Sequence, residues 1–203
     1  MKGSLNIERC FKDALEVYKQ HWQMLVVLNI ILGFLIFITL GIFAGPLVAG
    51  YNFALIELLR KKKEKVEISD LFKFFNRFWP LVGLFFLQLI IILGGTILLV
   101  IPGIIFSIML LYVFYLAADK GLSPQEAIRR SWKIVSTKGF WPNFAIAVLS
   151  GIIMMFVQMV PFLGYILGLF ISPFTVLLIA SAYIQQVDED QGELNLQTSK
   201  RVI

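Results

Sequence analysis

The stretch from Ile101 to Trp141 reads IPGIIFSIMLLYVFYLAADKGLSPQEAIRRSWKIVSTKGFW. It issues three structural instructions in order. Pro102-Gly103 break one helix and open the next. The uncharged run to Ala118 suits lipid. The segment from Ser123 to Lys138 carries one apolar and one basic face, which suits a membrane surface. Its start, Ser123-Pro124-Gln125-Glu126, is a capping box with Pro at the first helical position. Gly139 is placed to end it.

The same order can be read elsewhere. Met24–Ile56, Phe78–Ala118 and Gly139–Val187 contain no Asp, Glu, Lys or Arg. The chain is 59% hydrophobic and 15% charged, with a mean hydropathy of +0.84, against about 25% charged in soluble domains. A spanning helix needs about 20 apolar residues, so the second and third runs each hold two spans. The first holds two when its return helix ends near Arg60. The sequence therefore predicts an all-α integral membrane protein with six transmembrane helices in three hairpins. An amphipathic interfacial helix precedes each hairpin, at Ser4–Gln20, Ser69–Arg77 and Ser123–Lys138. Ser69 is the expected N-cap of the second. Pro46, Pro102 with Gly103, and Pro161 mark the three turns. Gly41 and Gly45, four apart, suit close helix approach at the first. Pro173 is expected to bend the last helix.

Residues 1–186 form one membrane domain, divisible into repeat units 4–65, 67–120 and 123–186 by the regular spacing of Trp22, Trp79 and Trp141 from the turn prolines. Residues 187–203, with Asp188-Glu189-Asp190, read as a polar, disordered cytoplasmic tail. The first twenty residues include Glu8, Asp13 and Glu16 and have no apolar stretch, which predicts no cleavable signal peptide.

Charge placement orients the chain. All 18 Lys and Arg fall within residues 1–22, 60–77, 120–138 and 200–201, while the three proline turns carry none. The positive-inside rule puts both termini and the three surface helices in the cytoplasm. The net charge of +5 is accounted for by this placement, so nucleic acid is not an expected partner. The basic residues Lys12, Arg60, Lys61, Lys62, Lys63, Lys73, Arg77, Arg129, Arg130 and Lys133 are candidates for contact with anionic lipid headgroups.

Catalytic signatures are missing from the sequence. The single His21 and single Cys10 supply no metal set, and no cofactor is expected. Asp119 and Glu57 lie at the basic ends of return helices beside Lys120 and Arg60, where ion pairs are the expected role. Asn52, Gln88 and Gln158 lie within spans, where they either bond between helices or line a path.

The residues Pro102, Gly103, Ile104, Asp119, Gly121, Leu122, Ser123, Pro124, Glu126, Ala127, Ser131 and Gly139 resemble the pattern of a poorly characterised prokaryotic polytopic membrane family. That family is related to the membrane domain of glycerophosphodiester phosphodiesterases. Gly45-Pro46-Leu47 through Asp70-Leu71-Phe72 is similar too, so the likeness covers about two thirds of the chain. It implies a six-span fold in a prokaryotic cytoplasmic membrane. It implies no activity, because no metal-binding carboxylates of the phosphodiesterase are matched. The expected function is a non-catalytic membrane protein that binds anionic lipid, shapes the bilayer or scaffolds a partner. A small transporter or channel subunit is the alternative.

A cysteine introduced at Ile101, beside Pro102, should react with an impermeant maleimide added outside, and one at Lys62 or Ser136 should not. The opposite labelling pattern would invert the topology.

Overall fold

A computed structural model describes residues 5–159 and 163–201, with side chains there except at 98 and 189–201. Pro161 lies outside the described residues. The described chain is helical, without strands: α1 (Ile7–Ile38), α2 (Ala44–Leu59), two 3₁₀ turns (Ile68–Phe72 and Phe75–Arg77), α3 (Phe78–Leu98), α4 (Val100–Met109), α5 (Val113–Asp119), α6 (Pro124–Lys138), α7 (Phe140–Gln158) and α8 (Leu163–Arg201). Five segments of the described residues are long and apolar enough to cross a membrane; α2, with 16 residues, is a shorter apolar helix outside that set.

α2 sits at the centre. Twelve of its 16 residues are buried, against α1, α3, α5, α8 and the first 3₁₀ turn. Small residues make this possible. A Cβ on Gly45 would run into the Leu81 carbonyl, and one on Gly50 would lie 2.6 Å from the Leu71 oxygen. In lipid, helices associate by close packing rather than by the hydrophobic effect, so small residues set the approach. Gly41 has a different role from the one its spacing with Gly45 suggests. It has open space around it and φ +81°, so it serves the turn. Pro46 and Pro102 each occupy the third position of their helices, where a missing N–H breaks no helical bond. Gly103 is a packing residue rather than a turn residue, because a Cβ there would lie 2.9 Å from the Thr96 Cα.

The three segments leading into the hairpins differ from one another. The expected surface helix at Ser4–Gln20 is the first part of α1, continuous with the span; no Gly or Pro falls between Ile7 and Met24 to break it. The expected helix at Ser69–Arg77 is two 3₁₀ turns. Its cap is Glu67, in a reciprocal box with Asp70, rather than Ser69. Phe72, Phe75 and Phe78 recur at steps of three, the 3₁₀ period, and successive rings pack in a tilted arrangement at centroid distances of 5.4 and 5.9 Å. Of the three, only the segment at Ser123–Lys138 is a helix of its own, α6, and its box is formed: Glu126 accepts from the Ser123 N–H at 3.1 Å. The polar end of the chain also departs from expectation. Val187 is in the core, and α8 continues as helix through Arg201 instead of giving way to a disordered tail.

Two interruptions of helical bonding are repaired by side chains. At Leu110–Tyr112 the chain turns between α4 and α5, and the Val113 N–H reaches back only to the Leu110 carbonyl. This leaves the Met109 carbonyl and the Tyr112 N–H unmatched. The buried Ser131 hydroxyl of α6 donates to the first at 2.7 Å and accepts from the second at 3.3 Å. In α8, Pro173 has no N–H for the Leu169 carbonyl. The Asn29 amide of α1 donates to that carbonyl at 3.3 Å and to the Ser172 hydroxyl at 2.8 Å, while Tyr18 donates to the Phe170 carbonyl at 2.6 Å.

Replacing Ser131 by Ala should strand two backbone groups and cost about 1–3 kcal/mol. A melting curve in detergent should shift down, while Ser136→Ala, on the exposed face of α6, should leave it in place. Equal curves would show that the α4–α5 turn does not depend on Ser131.

Candidate functional site

The charged end of the bundle is held by one guanidinium. Arg60 follows the last residue of α2, where helix C-terminal carbonyls favour a cation. It forms a bidentate pair with Asp119 at the end of α5, with Nη2 3.1 Å from Oδ2. The same group donates to both oxygens of Asp188 in α8, at 2.8 and 3.3 Å. Tyr183 donates to Asp119 at 2.9 Å, and the Lys120 ammonium is 3.4 Å from it. The Arg60 and Asp119 side chains are 14% and 8% exposed, and Asp188 is 44% exposed. Burial works against the charge on Arg60, but the hydrogen bonds and charges of the two carboxylates outweigh it and hold its pKa above the ordinary value. The cluster ties α2, α5 and α8 together at three points.

Below it lies a second polar group, fully enclosed. The Tyr112 hydroxyl donates to Asn143 Oδ1 at 2.6 Å, and the Gln186 amide donates to the same oxygen at 2.7 Å and to Tyr112 at 3.1 Å. The Asn143 amide donates to the Gly139 carbonyl at 2.7 Å, fixing the entry of α7. The rings of Tyr115 and Tyr183 stack at 5.6 Å between the two polar groups.

The residues expected to meet lipid headgroups divide into two sets. Lys61, Lys62, Arg129 and Lys133 are exposed, and Lys12, also exposed, pairs with Glu8 at 2.6 Å. Arg60 is committed to the cluster. Lys63 pairs with the buried Asp70, and Arg77 donates to the Leu122 carbonyl at 3.0 Å. Lys73 lies 3.8 Å from Glu57 and also over the Phe53 ring, so Glu57 pairs with Lys73 rather than with its sequence neighbour Arg60. Arg130 is half-buried, and its charge acts on Tyr183.

The amides within the spans are not brought together. Asn52 is buried in α2; Gln88 donates to the Leu110 carbonyl at 3.4 Å; Gln158 is exposed at the far end of α7. Among the described residues no hydrogen bond joins them. No group of three His, Cys, Asp or Glu side chains there is arranged to hold a metal. Cys10 is buried among apolar neighbours. Tyr112, Asn143, Gln186, Tyr183 and Asp188 are the residues that sequence reasoning passed over. The available signal was a tyrosine or amide near the charged end of the second and third apolar runs, at Tyr112, Asn143, Tyr183 and Gln186, with Asp188 just beyond.

No family model, curated protein or solved structure matches this chain.

Removing one partner of a buried pair leaves the other charge uncompensated. Asp119→Asn should therefore lower stability in detergent by about 2 kcal/mol, less than a fully enclosed pair because Asp188 still holds Arg60. The double variant Arg60→Met/Asp119→Leu should recover part of the loss. A double variant no more stable than the sum of the singles would show that the two side chains do not act as a pair.

Proposed function

We propose that the protein is a non-catalytic integral membrane module whose basic end seats in an anionic lipid interface. The observation that carries this reading is the placement of tryptophan. All four are exposed, Trp79 at 78% and Trp141 at 74%, with Trp22 and Trp132 at 42% each. Each lies within three residues of a Lys or Arg. Indole settles where one edge is apolar and the other wet, so the four mark a single interfacial level at the basic end. The exposed Lys61, Lys62, Arg129 and Lys133 stand at or beyond that level, where each contributes about 1 kcal/mol toward anionic lipid.

The same reading takes the protein across the membrane six times with both termini in the cytoplasm. α2 is about 24 Å long, shorter than the hydrocarbon thickness. It is walled in by its neighbours and does not meet lipid along its length, so the 20-residue requirement does not bind it. The three uncharged runs support a membrane-embedded chain, and the resemblance to a prokaryotic membrane family supports a bacterial or archaeal cytoplasmic membrane. The transporter alternative is weakened by the separation of Asn52, Gln88 and Gln158. A continuous polar route would need them to share a wall.

The test uses tryptophan quenching by brominated lipid in reconstituted vesicles. Brominated phosphatidylglycerol should quench more than brominated phosphatidylcholine at low salt. Replacing Arg129 and Lys133 together by Gln should weaken that preference by about 2 kcal/mol, or about 30-fold, if each contributes about 1. Equal quenching by the two lipids in the unmodified protein would remove the anionic-interface function.

A further inference from the structure

Beside the central helix, two cavities meet along α1. The first, about 690 Å³, lies between α1, the end of α2 and the segment after it, and is lined by Glu16, Gln20, His21, Lys61 and Glu64 among others. The second, about 590 Å³, lies one turn further into the span, with Trp22, Met24 and Val27 on one wall and Lys65 on another. Gln20 and His21 line both, so the two lobes adjoin. From Glu16 to Val27 the helix rises about 16 Å, the length of a phospholipid headgroup with the start of its chains. Val27 and Trp22 are exposed, so the second lobe is open at the lipid level.

The charges of the first lobe decide what it suits. Its wall carries Arg9, Lys61 and Lys63 against Asp13, Glu16 and Glu64. Arg9 lies 3.8 Å from Asp13, and Lys63 pairs with Asp70. Among the described residues no ion pair holds Lys61, Glu16 or Glu64, and all three are exposed. A purely anionic headgroup would meet two unpaired carboxylates and be repelled. A headgroup with a phosphate and an ammonium finds an opposite charge for each. A quaternary ammonium is held by a cage of aromatic faces, and the two lobes offer one, Trp22. A primary ammonium needs carboxylate and amide oxygens as acceptors, which Glu16, Glu64 and Gln20 supply.

We propose that this two-lobed cleft is a specific site for one phosphatidylethanolamine-class lipid. Its phosphate lies against Lys61, its ammonium against Glu16 and Glu64, and its chains against Trp22, Met24 and Val27. The proposal rests on the lipid-interface function and adds a seat of different headgroup preference from the surrounding anionic belt.

The experiment is native mass spectrometry of the full chain released from nanodiscs of equal parts phosphatidylethanolamine and phosphatidylglycerol. The unmodified protein should keep one phosphatidylethanolamine after most lipid is stripped. Glu16→Gln/Glu64→Gln should lower its retention relative to phosphatidylglycerol about 30-fold, and Lys61→Gln should lower retention of both about fivefold, taking about 1 kcal/mol per charge near the surface. Val27→Trp, which fills the chain lobe and leaves every charge in place, should also empty the site and serves if a charge variant does not fold. Preferential retention of phosphatidylglycerol, or retention unchanged in all the variants, would overturn the site. The quenching preference for anionic lipid depends on Arg129 and Lys133 and is read separately. Loss of phosphatidylethanolamine with that preference intact removes only this site; loss of the preference with phosphatidylethanolamine retained leaves the site standing.

Discussion

A backbone carbonyl or N–H left unmatched in hydrocarbon costs several kcal/mol, and among the described residues two such interruptions are met by side chains. The one at Leu110–Tyr112 is met by Ser131 and the one at Pro173 by Asn29, with Tyr18 bonded to the next carbonyl of α8. Each repair comes from a different helix than the one repaired. The bundle is therefore closed by its own irregularities: α6 is drawn onto the α4–α5 turn, and α1 onto α8. Once Ser131 faces inward, helical geometry turns Arg129 and Lys133 outward. The orientation of the basic face of α6 thus follows from a backbone requirement in a neighbouring helix.

The charged end has a comparable logic. Arg60, Asp119 and Asp188 are far apart in sequence and meet because α2, α5 and α8 end at one level. A guanidinium offers five donors in a fixed plane and can serve two carboxylates together, which an ammonium cannot do with the same geometry. Tyr183 fills the remaining acceptor side of Asp119. The far half of the bundle is held by apolar packing, and its exposed Ile97, Leu99, Val100 and Ile101 face outward. The basic end is consequently the more specifically tied of the two.

Hydropathy and punctuation made much of this legible beforehand. The three uncharged runs, the capping box at Ser123 and the helix starts at Pro46 and Pro102 are local signals, and local signals survive folding. The lead-in to α1 was misleading because an amphipathic stretch and an apolar one share a single helical frame, with nothing between them to stop it. Around Phe72, Phe75 and Phe78 a spacing of three suits a 3₁₀ turn, and the α-helical reading of Ser69–Arg77 takes no account of it. The pairing of Arg60 with Asp119 and Asp188 could not be read at all. Proximity in the chain favoured Glu57 for Arg60, and only the packing of three helices moves that arginine elsewhere.

That packing depends on how closely α2 can be surrounded. Gly45, Ala49, Gly50 and Ala54 fall at or near steps of four, so α2 offers its neighbours a low, smooth surface on more than one side. The Leu81 carbonyl reaches the face at Gly45, and the Asp70 and Leu71 carbonyls reach the face at Gly50. A larger residue at either glycine would push a whole neighbour away rather than a side chain. With α2 enclosed, its last turn is fixed in height against α5 and α8, and this lets Arg60 meet two carboxylates at once. The segment after it then leaves the bundle at Lys61, a lysine in the left-handed conformation at φ +54°. That turn sends residues 61–67 back toward α1 and makes one wall of the cleft at Glu16, Gln20 and Trp22. The small residues of the buried helix and the charges of the open cleft are therefore linked through one helix terminus.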